Sequence, residues 1–220
     1  MGTSIVRGGV AALIAMLHLS PALAGGALTN AEGMRLEAGE TVVKTRRVAG
    51  FPWPEATVYR RVAASPEEVM AVYADFEGQA GLLPNLVESR VLRRLSRHSF
   101  HVYYEYENAG PNERYMVETA LDRTPGGYRA SWQLVSARFT RRLSGHLSAE
   151  LFGPGALITH VNRVDPGLLG VTLGDHQTIV RQMTESVEAL TRYVERIRVE
   201  QPDRLRLLAR ALTTMLSGPE

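Results

Sequence analysis

From residue 175 to about 200 the chain places Ile179, Met183, Val187, Leu190, Val194 and Ile197 at spacings of three and four. That spacing lays one apolar stripe along a single helix. Arg181, Glu185, Glu188, Arg192, Glu195 and Arg198 occupy much of its remainder. Asp175, behind Gly174, stands where an N-cap is expected, and Pro202 cannot continue the helix. At 1.5 Å per residue such a helix spans ~39 Å, about the width of a domain this size. A stripe of that length needs an equally long apolar surface to lie on.

The preceding chain supplies one. Residues 86–95, 99–107, 113–122, 128–138, 142–152 and 156–165 are runs of strand composition. Ala109-Gly110-Pro111-Asn112, Pro125-Gly126-Gly127 and Gly153-Pro154-Gly155 make short turns between them. Upstream, 57–63 reads as a strand, and Ser65-Pro66-Glu67-Glu68 opens a helix with an N-cap serine, proline at the first helical position and acids in the first turn. Val69, Val72, Tyr73 and Phe76 give that helix its buried face, and a short second helix runs from Gly78 to a stop at Pro84. Sequential hairpins force an antiparallel sheet whose first strand can close against the last. The expected fold is α+β: a curved antiparallel sheet of about seven strands wrapped around a long C-terminal helix, with an apolar cavity between them.

Four segments divide the 220 residues. In 1–24, Arg7, an apolar run from Val10 to Leu19 and Ala22-Leu23-Ala24 have the order of a signal peptide cleaved after Ala24, and the run is too short for an ordinary membrane span. Export and a periplasmic location are the expectation. Residues 25–56 hold a capping-box helix from Thr29-Asn30-Ala31-Glu32, an extra strand over 41–48 and the aromatic connection Gly50-Phe51-Pro52-Trp53-Pro54. The main domain is 57–201, and 202–220 form an amphipathic tail helix. Loss of Arg7 with the leader lowers the formal charge from +2 to +1, which is no nucleic-acid footprint. The absence of cysteine excludes thiolate metal sites, cysteine catalysis and disulfides.

This element order, with Ala64-Ser65-Pro66-Glu67-Glu68-Val69, Asp75-Phe76-Glu77 and Leu83-Pro84-Asn85-Leu86-Val87-Glu88-Ser89, resembles the helix-grip superfamily of START lipid-transfer domains and polyketide cyclases. It looks most like the SRPBCC branch of bacterial polyketide cyclase/dehydrase or coenzyme Q-binding proteins, over about residues 57–200. The resemblance implies an elongated cavity between sheet and helix that holds lipids, quinones, sterols or polyketides.

Strand alternation assigns an inner face. Phe100, Val102, Tyr104 and Tyr106 share one side, as do Tyr115, Val117, Thr119 and Leu121. Tyr128, Ala130, Trp132 and Leu134 follow, then Leu143, Gly145, Leu147 and Ala149, whose small members would leave room. Val102, Tyr104, Tyr106, Tyr115, Val117, Trp132, Leu134, Met183 and Val187 are the candidate ligand-binding residues. Core packing is the competing reading for each. On the last strand two phases stand open: Leu157, Thr159, Val161 and Arg163 inward, or Ile158, His160, Asn162 and Val164. In the first, Arg163 is a candidate for an anionic head group at the mouth, or it pairs with Glu118 or Asp165.

His101 and Glu105 fall on the outer face, solvated or paired across strands, and neither His-x-x-x-His nor His-Glu-x-x-His occurs. No metal or cofactor is expected, and no catalytic residue is assigned. Leu168, Leu169, Val171 and Leu173 in the connection before the long helix, and the arginine-rich helix over 204–216, are candidates for peripheral membrane contact or for packing on the domain itself. The functional expectation is a periplasmic binding or carrier protein for a quinone, hopanoid, sterol or acyl lipid. A cyclase/dehydrase enzyme on a hydrophobic substrate and a dry-cored envelope protein that binds a partner are the alternatives.

Overall fold

The structure, a computed structural model, describes residues 27–107, 110–168 and 175–217. The leader and the apolar residues Leu169, Val171 and Leu173 lie outside the described residues.

Helix α1 (Asn30–Glu37) is opened by a complete capping box, with Thr29 accepting from the Glu32 amide and Glu32 accepting from the Thr29 amide. Strands β1 (Thr41–Arg46) and β2 (Glu55–Val62) follow, then α2 (Pro66–Tyr73) and a 3-10 turn (Phe76–Gly81). The meander runs β3 (Leu86–Arg94), β4 (Ser99–Tyr106), β5 (Glu113–Thr124), β6 (Gly127–Ala137), β7 (Arg142–Phe152) and β8 (Gly155–Asp165). Helices α3 (His176–Glu200) and α4 (Pro202–Leu216) close the chain. Among the described residues the strands form one sheet in the order β1-β2-β8-β7-β6-β5-β4-β3, antiparallel throughout. Thus β2 does close against β8, and β1 is the strand added at the edge.

Asp175 caps α3 by accepting from the Thr178 amide at 2.7 Å. Met183, Val187, Leu190, Val194 and Ile197 are buried along its length and Ile179 is partly buried, so the predicted stripe is the face that the sheet grips. Each such side chain contributes roughly 1.5–3 kcal/mol by leaving water. Helix α2 lies beside α3 and packs on β6, β7 and β8. Ser65 and Glu68 complete its capping box.

The tail helix α4 turns its apolar face inward. Leu205 and Leu212 are buried, Leu208, Ala209 and Met215 pack against the same core, and α2 is the main surface beneath them. Thr213 donates to Glu67 at 2.8 Å, and Arg204 lies 3.8 Å from Asp75. The apolar stripe over 204–216 therefore packs on the domain itself. Helix α1 packs on β1 and β2 through a separate small cluster of Leu36, Val42 and Tyr59, joined by Leu28, Phe152 and Leu157. No described helix is long and apolar enough to cross a membrane.

Candidate ligand cavity

A cavity of about 260 Å³ lies between the inner face of the sheet and the first half of α3. Tyr104 and Tyr106 on β4, Tyr115, Val117 and Thr119 on β5, Trp132 on β6 and Leu143 and Leu147 on β7 form its floor. Met183, Val187 and Leu190 cover it from α3, and Tyr73 and Gln79 close the end next to α2. At the other end the wall is made by Trp53, Glu113, Phe139, Thr140, Pro166, Asp175 and Thr178, most of them partly exposed. Trp53 is anchored there, since its ring meets His176 edge-on at 6.2 Å and His176 contacts the Pro54 carbonyl at 3.1 Å.

Tyrosine side chains give the inner end its character. Tyr106 and Tyr115 stack at 5.8 Å between centroids, Tyr104 lies 5.6 Å from Tyr115, and Tyr73 lies 6.4 Å from Trp132. Burial pushes the Tyr106 phenol up to about 12 and raises Tyr73, Tyr104 and Tyr115 as well. All four therefore keep their protons at neutral pH and can donate hydrogen bonds. His160 and Asn162 reach the cavity from β8. The His160 ring meets Trp132 edge-on at 5.3 Å, and the Trp132 indole N–H donates to Asn162 Oδ1 at 3.4 Å. Burial first, then the positive potential of His146, lowers His160 to about 4, so its imidazole is neutral at pH 7.

Seven of the sequence candidates line this cavity: Tyr104, Tyr106, Tyr115, Val117, Trp132, Met183 and Val187. Three do not. Val102 is wholly buried in the core beside Val117, its cross-strand partner. Leu134 sits where β6 leaves β7, one residue past the last pair Gln133–Ser144 and at a register shift against β5, and it borders a separate depression with Phe51. Arg163 lies on the other face of β8 and pairs with the buried carboxylate of Glu55, not with Glu118 or Asp165. Nor does Gly145 leave empty space, because the Trp132 ring occupies it. On the outer face, His101 lies 3.8 Å from Glu118 and Glu105 pairs with Arg114 at 3.1 Å, the cross-strand pairing expected there.

The sequence had left the phase of β8 open. Its hydropathy is equivocal, since each face carries two apolar and two polar residues. The two-residue link Gly153-Pro154 decides the register, because Phe152 pairs with Gly155 and every later partner follows. Leu147 then faces His160, Gly145 faces Asn162 and Leu143 faces Val164. Directly opposed residues share a face, so the unambiguous inner face of β7 carries His160 and Asn162 with it.

No family profile matches the chain, and no curated protein matches it. Solved structures do. A STAR-related lipid transfer protein from Xanthomonas axonopodis superposes with a TM-score of 0.61 at 18% identity, covering 70% of this chain and 93% of that one. This chain has the START-like helix-grip fold. Human STARD10 gives a TM-score of 0.56 at 16% identity over 74% of each chain. The di-domain aromatase/cyclase StfQ of the steffimycin biosynthetic pathway gives 0.53 at 15% identity, covering 67% of this chain and 46% of that one. At such identities the helix-grip likeness is one of fold. In this chain β1 lies at one edge of the sheet with α1 packed on it, and α4 lies beside α2.

Proposed function

We propose that the protein binds a small hydrophobic molecule in the cavity between sheet and α3 and carries it through the periplasm. The observation that carries this reading is the cavity itself: about 260 Å³, walled by Met183, Val187, Leu143, Leu147 and a group of aromatic rings. Its volume lies just below the ~300–1,000 Å³ of small-molecule sites. One compact ligand suits it better than a two-chain lipid. The helix-grip likeness to lipid-transfer proteins supports the same reading. Periplasmic action rests on the leader-like order of Arg7, the apolar run and Ala22-Leu23-Ala24.

The test is native mass spectrometry of protein purified from its own cell envelope, followed by organic extraction of what co-purifies. A stoichiometric hydrophobic molecule, retained by wild type and lost in Trp132→Ala, is the expected result. Tyr104→Phe should retain it. Turnover of the extracted molecule that falls in Tyr104→Phe would favour a cyclase-type enzyme instead. A bare protein that also takes up nothing from a total lipid extract would sink the carrier reading in favour of a protein-binding role. A mature N-terminus at Gly25 in the periplasmic fraction is the matching outcome for export, and an intact Met1 in the cytosol would refute it.

A further inference from the structure

Resting on that cavity reading, the chemistry of the wall restricts the ligand further. Among the described residues lining the cavity there is no lysine and no arginine, and residues 169–174 contain none in sequence. The charged groups on the wall are Glu113 and Asp175, both acidic. Burial raises Glu113 while the Phe139 amide holds it at 3.3 Å. Among the described residues, Arg138 and Arg181 touch lining residues from outside, and both are exposed and engaged there. Arg138 stacks over Phe139 at 4.8 Å and donates to the Asn112 carbonyl, and Arg181 reaches Thr178 at 3.5 Å. Among the described residues no cationic side chain of the wall neutralises an anion. A buried carboxylate or phosphate without a cation partner costs several kcal/mol as a class effect.

The interior is not purely hydrocarbon either. His160 is on the wall with its ring partly accessible; Nδ1 is closed off within the wall, and among the described residues no hydrogen bond occupies the other ring nitrogen, Nε2. A neutral imidazole offers Nε2 to the cavity, and a hydroxyl or carbonyl brought in by a ligand can pair with it. We propose that the cavity selects an uncharged molecule bearing an alcohol or carbonyl, rejects carboxylates and phosphates of the same skeleton, and uses His160 to read that polar group.

Both tryptophans of the chain, Trp53 and Trp132, line the cavity, so quenching of intrinsic fluorescence reports occupancy. Three probes share one skeleton: farnesol, farnesoic acid and the hydrocarbon farnesene, each titrated into the protein at pH 7. The expected order is farnesol tightest, with farnesoate about a hundredfold weaker and farnesene about tenfold weaker. His160→Leu should bring farnesol down to the level of farnesene and leave farnesene unchanged. His160→Gln keeps a hydrogen-bonding group and should hold most of the preference, which separates recognition from misfolding. Farnesoate binding as tightly as farnesol overturns the charge selectivity. Retention of the farnesol preference in His160→Leu overturns the role of His160. If none of the three binds, the cavity reading falls, and this inference falls with it.

Discussion

Trp132 on β6 packs directly against Gly145 on β7, with its ring carbon Cζ2 2.8 Å from the point where a β-carbon of residue 145 would stand. The same point is closer still to the Val161 carbonyl oxygen of β8. A methyl group at 145 must push both the indole and the neighbouring strand. Gly145→Ala is therefore expected to cost about 1–3 kcal/mol and to displace the ring from Asn162 and His160. Thermal unfolding measures the first effect, and a shifted tryptophan emission maximum measures the second. Wild-type values for both would show that the strands shift freely and that the ring is not held by this contact.

His160 makes stability depend on pH in a definite window. Its folded pKa is lowered from the usual 6.5 to about 4, chiefly by burial. As pH falls below 6.5 the unfolded chain binds a proton that the folded chain refuses until about pH 4. Stability is lost over that interval, by up to about 3 kcal/mol for this shift. His146, also lowered to about 4 by burial and then by Arg129, adds to the effect. Denaturant midpoints between pH 7 and 4 should fall steeply in wild type and less steeply in His160→Gln. Equal slopes would mean that His160 is hydrated in the folded protein.

Glu55 titrates in a separate, more acid window. The side chain is buried at 1% exposure, yet it meets Arg163, 35% exposed, and Arg46, 56% exposed. Burial works to raise its pKa, and the hydrogen bonds from Arg163 and Arg46 outweigh burial and lower it. A lowered carboxylate pKa stabilises the fold above the unfolded value of 4.5, and that contribution is lost as pH falls below it. Glu55→Gln should cost about 1–3 kcal/mol at pH 7, discounted for the exposure of both arginines, and should flatten the stability profile below pH 4.5. A variant as stable as wild type at pH 7 would show the pair to be neutral.

The fold was legible because its signals are periodic. The 3.6-residue stripe of Met183, Val187, Leu190, Val194 and Ile197 and the hairpin turns at 125–127 and 153–155 each constrain many residues at once. The inner faces of β4 and β5 followed from alternation for the same reason. Single positions were harder. Leu134 was assigned by parity alone, which fails once β6 bulges against β5. Arg163 was placed by the wrong phase of a strand whose register depends on its neighbour. Trp53, Phe139 and Thr140 come to the wall from connections, where no period places a side chain, and Gln79 comes from a 3-10 turn. The tail helix had the sequence of a lipid-surface helix. Only the surface offered by α2 decides what its apolar face meets.

That surface gives the last prediction. Leu212 is fully buried and Leu205 nearly so, against a core that includes Val69, Met70 and Val72 of α2. Leu212→Ala removes buried methyl groups from a packed site and should cost about 2–5 kcal/mol. Leu207 is 64% exposed on the other side of the same helix, and Leu207→Ala should stay within about 0.5 kcal/mol. Thr213→Val removes the hydrogen bond to Glu67 and should fall between them, at about 1 kcal/mol. The three thermal shifts together measure whether α4 belongs to the cooperative core. A helix that acts by lying on lipid would invert the first two: Leu212→Ala would leave unfolding unchanged, while Leu207→Ala would weaken co-sedimentation with anionic vesicles. The burial of Leu212, and not the arginines on the opposite face, sets the expected order.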